Sequence, residues 1–132
     1  MKKLQSKVVF IFLLSIFLQA ETLDTSHFIP GWMEFSDNPF NAMSITITTA
    51  VIDGMDLETG DEIGIFDGDI CVGAGIVDAT ITTSNMLSIS ASQQDSDESL
   101  DNGFTPGNLI YYRFWDSSLN VEIMDVSATY LQ

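Results

Sequence analysis

Gly60-Asp61-Glu62-Ile63-Gly64-Ile65-Phe66-Asp67-Gly68-Asp69-Ile70-Cys71-Val72-Gly73-Ala74-Gly75-Ile76-Val77 is the stretch that decides the class of fold. Two β-branched and aromatic runs flank Asp67-Gly68, the pattern of a tight hairpin in which glycine adopts positive φ. The outgoing strand is expected over Glu62 to Phe66 and the returning one over Ile70 to Val77. Gly64, Gly73 and Gly75 fall inside these runs, where glycine marks a bulge or the close approach of another backbone.

The same period of two continues on both sides. Upstream, Met43, Ile45, Ile47 and Val51 share one parity while Ser44, Thr46 and Thr48 take the other, a half-buried strand closed by Asp53-Gly54. A second turn is expected at Glu58-Thr59-Gly60-Asp61. Downstream, Ala79 to Thr83 and Asn85 to Ser92 read as two more strands. Gln93 to Asn108 has no period and is rich in Asp, Ser, Gly and Asn, so it reads as a loop. Leu109 to Trp115 is an aromatic strand, and Val121 to Tyr130 a last one with an irregularity at Asp125. No segment carries a helical period. About seven short antiparallel strands in one domain argue for an all-β, two-sheet β-sandwich.

The first residues have another character. Lys2, Lys3 and Lys7 precede the apolar run Val8 to Leu18, and Gln19-Ala20 leads to the first acid, Glu21. A cationic start before an apolar run shorter than the roughly 20 residues of a membrane span is the pattern of a signal peptide. Residues 1–20 are therefore expected to be cleaved. Residues 21–36 follow as an N-terminal linker or first strand, and 37–132 as the β module. The predicted location is secreted or at the cell surface, with no membrane span after cleavage. The sequence is still strand-like at Leu131-Gln132, so truncation of a longer protein, or membership of an array, is also expected.

Loss of residues 1–20 removes three of the four cations and leaves Arg113 against 19 acids. Nucleic acids and anionic membranes would repel such a surface. The abundance of Ile, Val, Phe, Tyr and Trp separates the chain from acidic disordered segments. Cys71 is the lone cysteine, so it forms no internal disulfide; a buried place between Ile70 and Val72 is expected.

Asn38 to Ile45, Gly60 to Gly68, Cys71 to Ala74, Gly103 to Asn108 and Tyr112-Arg113-Phe114-Trp115-Asp116 together resemble a module of large secreted and cell-surface proteins of the Bacteroidetes and their relatives. Such proteins often end in a type IX secretion sorting domain, which is absent here. The resemblance implies a β-sandwich within a multidomain exported protein. It implies no reaction and carries over no functional residue.

Three constellations could bear chemistry. Asp95, Asp97 and Asp101, with Glu98 and Asn102, offer hard oxygen ligands of the kind Ca²⁺ gathers in sets of roughly six to eight. The spacing departs from an EF-hand at Leu100, where the loop needs glycine, and at Pro106, where it needs glutamate. A solvated, self-repelling loop is the competing reading. Asp67 and Asp69 form a second candidate metal group, set against the ordinary use of Asp in turns. Trp32, Tyr111 and Trp115 are candidate stacking rings for a glycan, set against plain cross-strand packing.

Arg113 is expected to pair bidentately with a carboxylate as a structural clamp. His27, the single histidine, reads as an exposed linker residue around which no triad can be built. The sequence thus predicts a non-catalytic interaction or structural module, calcium-stabilised, whose partners are neighbouring domains or a glycan. The alternative is a carbohydrate-binding module of a secreted hydrolase.

Overall fold

The computed structural model describes residues 25–131, and the expected signal peptide lies outside them. Among these residues the chain is all-β, with eight strands in antiparallel sheets where about seven were expected: β1 Met43–Ile47, β2 Val51–Ile52, β3 Met55–Asp56, β4 Glu62–Asp67, β5 Ile70–Ile76, β6 Leu87–Ala91, β7 Ile110–Asp116 and β8 Val121–Val126. The main sheet has the order β5-β4-β7-β8, while β1 pairs with β6 and β2 with β3. A 3-10 turn, Gly31–Glu34, precedes the strands. Among the described residues no helix is long and apolar enough to cross a membrane.

The deciding hairpin forms one residue later than its composition suggested. Asp67 still pairs with Ile70, so Gly68-Asp69 make the turn, with Gly68 at φ 58°. Positive φ at the first turn position alone is the type II′ geometry, which asks for glycine there. The β2–β3 hairpin, unforeseen beyond its turn, carries positive φ at both Asp53 and Gly54, the type I′ pattern. A bulge at Val72 brings Gly73 opposite Ile65 and Cys71 opposite Phe66.

Ile63 and Ile65 are fully buried, while Glu62, Gly64 and Phe66 lie on the opposite face of β4. The core gathers Ile63, Ile65, Val72, Tyr112 and Phe114 of the main sheet with Ile89 and Ala91 of β6. Approach of β6 is close enough to need glycine. A Cβ on Gly73 would lie 2.8 Å from the Ser90 carbonyl oxygen and 3.1 Å from Ala91 Cα. The Ser92 N–H continues the junction by donating to the Val72 carbonyl.

Three expected segments differ. Residues 79–83 are not a strand, although Ile81 is buried. The Thr82 hydroxyl accepts from the Ser84 and Asn85 N–H groups, and the Asn85 amide donates to the Thr80 carbonyl. Such local side-chain bonds compete with a ladder. The first strand ends at Ile47 and leaves Val51 exposed. The last strand ends at Val126, and its ladder to β7 slips next to Asp125, as expected: Phe114 faces Ile123 while Tyr112 faces Val126.

Candidate functional site

One face of the main sheet is closed by the chain's own N-terminal segment. Glu62, buried on that face, accepts the His27 N–H at 2.7 Å through Oε1 and the Phe28 N–H at 2.9 Å through Oε2. Phe28 is buried edge-on against Phe66, and a Cβ on Gly64 would collide with both rings. The His27 ring stacks on Trp115, with centroids 3.7 Å apart and planes 6° apart, and its Nε2 meets Glu122 Oε2 at 2.9 Å. His27 is exposed, as expected, but it is a stacked and hydrogen-bonded latch residue and not a free linker.

Arg113 sits on the same face, its guanidinium 4.0 Å from the centre of the Phe66 ring. The expected pairing with carboxylate forms, but the fork divides: Nη1 donates to Glu122 Oε1 at 3.2 Å and Nη2 to Asp69 Oδ1 at 3.1 Å. The Arg113 side chain is only 16 % exposed and Asp69 is fully exposed, so the Glu122 arm is the better shielded one. The His27 hydrogen bond first, then Arg113, holds the Glu122 carboxyl below its usual range.

Cys71 is half-buried beneath this latch, and burial pushes its thiol up to about 11. It is therefore protonated and a poor nucleophile at neutral pH.

Another acid is a loop brace. Asp61 is buried, accepts the Glu58 N–H through Oδ2, and accepts both the N–H and the hydroxyl of Ser117 through Oδ1. It joins the turn before β4 to the turn after β7.

The five candidate metal ligands do not come together as one set. Asp67 accepts from the Thr105 N–H and the Asn108 amide, Asp69 from Arg113, and Asp95 from the Asp97 N–H. Asp97 and Asp101 lie in the loop before Gly103, which is braced by the Gln94 side chain: its Oε1 accepts from the Asn102 and Gly103 N–H groups, and its Nε2 donates to the Leu100 carbonyl. Among the described residues no three His, Cys, Asp or Glu side chains form a metal-holding group.

The three candidate stacking rings are also dispersed in role. Trp115 lies under His27, Trp32 donates its indole N–H to the Val72 carbonyl, and Tyr111 is 53 % exposed.

The other side of the main sheet holds a cleft of about 840 Å³. Its floor is Ile63, Tyr112, Phe114 and Ile123; one wall is the continuous run Met43 to Asp53, and the other is Asp125 to Leu131. Met43, Ile45, Ile47, Ile52, Ile123 and Val126 are only half-buried, because the two-stranded sheet does not cover the β8 end of the four-stranded one. Tyr130 reaches across to Tyr112, hydroxyl to hydroxyl at 2.9 Å, and burial, then this bond, pushes the Tyr112 hydroxyl far above its usual range.

Sequence reading missed both arrangements. The signal for the latch was Glu62 and Gly64 on one face of an otherwise apolar strand, a combination that only a covering segment satisfies. The cleft's signal was the inward row of β1, which needs more apolar partners than the described strands supply.

Among the described residues, fold and cleft together define an all-β protein of antiparallel sheets with an apolar recess beside β1, a strand paired on one side. No family model, no curated protein and no solved structure matches the chain.

Proposed function

We propose that the chain is a β-sandwich module of an exported protein, that it works by binding and not by catalysis, and that the cleft beside β1 is where it binds. The observation that carries this reading is the cleft itself. At about 840 Å³ it is of ligand-site size, and apolar Ile45, Ile47 and Ile123 stand half-buried along it, the character of a recognition surface. His27 and Arg113, the residues best suited to acid–base or anion chemistry, are engaged in the latch on the opposite face. The cationic and apolar start of the sequence supports export.

A photo-cross-linking residue placed in living producer cells tests the reading. Val51 lines the cleft and is exposed; Leu119 is exposed on the turn after β7, away from it. The full chain substituted at Val51 should give discrete adducts, and at Leu119 none, with the exported protein starting at Glu21. Adducts from Leu119 alone would move the binding surface elsewhere. A cytosolic protein that keeps Met1 would remove the export half of the proposal.

A further inference from the structure

We propose that the occupant of the cleft is an extended segment of another protein, added to β1 as a further strand, and that this segment carries lysine or arginine beside alternating apolar residues. This rests on the reading of the cleft as the binding site and names its ligand.

The cleft follows an edge, not merely a face. Every residue of β1 lines it, on both parities, whereas none of β6 does among the described residues. The recess therefore lies on the side of β1 away from its single partner. Among the described residues that side offers unpaired backbone N–H and C=O groups along five residues, roughly 17 Å of strand.

Edges are ordinarily guarded, and this one is not. β8 carries Glu122 and Asp125 with a slipped ladder, and β5 is covered at Val72 by Ser92 and Trp32. Met43-Ser44-Ile45-Thr46-Ile47 has no charge, no proline and no register shift. Charges, prolines and bulges are the devices that keep a strand from pairing. Their absence beside an apolar recess is the pattern of β-augmentation, in which main-chain bonds give affinity and pockets accept alternate side chains. Half-buried Ile45, Ile47 and Ile123 are those pockets.

Charge selects the partner. The cleft is lined by Asp53 and Asp125 and by no Lys or Arg among the described residues. The whole chain has 19 acids and 4 cations, so a second copy would be repelled and a basic segment drawn in. The chain's own residues Ser127 to Leu131 border the opposite wall, where Tyr130 is bonded to Tyr112.

The test uses the full chain and three synthetic peptides read by fluorescence anisotropy. One alternates valine and threonine between lysine ends; the second has glutamate ends; the third is the lysine peptide with alternate backbone nitrogens methylated. The lysine peptide should bind about tenfold or more tighter than the glutamate peptide at low salt, with the gap closing as salt rises. Methylation should weaken it by a similar factor. Thr49→Arg, an exposed cleft substitution with no packing role, should weaken the lysine peptide and favour the glutamate one.

Equal binding of both charges would overturn the basic class of partner, and indifference to methylation would overturn strand pairing in favour of an apolar ligand. Concentration-dependent self-association without peptide would make a second copy the occupant. No peptide binding while the Val51 adducts persist would remove the strand and leave the binding cleft. Loss of both would remove the cleft as well.

Discussion

Gly73→Ala should destabilise the protein by about 3 kcal/mol, the range of an overpacked core. The two nearest atoms met by the new methyl group are backbone, the Ser90 carbonyl oxygen at 2.8 Å and Ala91 Cα at 3.1 Å, with Ile89 Cγ2 next at 3.2 Å. Neither backbone atom moves without shifting β6 away from β5, which also pulls Ile89 off the core. Gly75→Ala is the internal comparison. The nearest atoms to its new Cβ belong to the Ile89 and Leu87 side chains and not to backbone, the closest at 2.8 Å. A loss of about 1 kcal/mol is expected there. Urea denaturation of both variants measures the difference. A Gly73→Ala protein as stable as its parent would mean that β6 does not lie on β5 as described.

The second large effect belongs to the latch. Glu62→Ala leaves the His27 and Phe28 N–H groups without their acceptor and should cost about 3 kcal/mol, since hydrogen bonds to charged groups contribute about 1.5–3 kcal/mol each. Glu62→Gln keeps one carbonyl oxygen and should lose about half of that. Release of His27 from Trp115 should also change tryptophan fluorescence, a readout a uniform loss of stability would not give.

The latch is acid-sensitive for a further reason. Glu122 is held below its ordinary value of 4.5 in the folded chain, by His27 first and then Arg113. A carboxyl depressed on folding adds stability that is fully present above its unfolded value. That stability disappears as pH falls through the folded one. Unfolding midpoints should therefore drop below pH 4.5, and Glu122→Gln should flatten that limb. An unchanged acid limb in the variant would remove Glu122 from the latch.

How far the sequence could be read depended on whether a residue's partner was near. The β4–β5 hairpin was legible because turn chemistry and alternation are local, and its one-residue offset reflects the preference of a II′ turn for Gly68 at its first position. The irregularity at Asp125 was legible because a charge interrupts the apolar row. The supposed strand over 79–83 was not separable from a turn, since Ile81 is buried with or without a ladder.

Long-range facts were hidden. Glu62 and His27 are 35 residues apart, and nothing local to either announces that one accepts the other's N–H. Arg113 could be assigned carboxylates in general, but its division between Asp69 and Glu122 depends on register across β4, β7 and β8. The clustered acids of 95–101 carried a strong compositional signal, and the braces around them come from Gln94, which looks ordinary in sequence. The cleft needed knowledge of how many strands stand opposite β8.

Amide hydrogen exchange of β1 in the free chain tests the open edge most directly. In an antiparallel pair successive residues point their N–H groups alternately toward the partner and away from it. Amides of Met43–Ile47 directed at β6 should be protected and those between them should exchange like loop amides, while β4, paired on both sides, is protected throughout. Uniform protection along β1 would mean that its outer edge is already covered, and the cleft would have no strand to offer a partner.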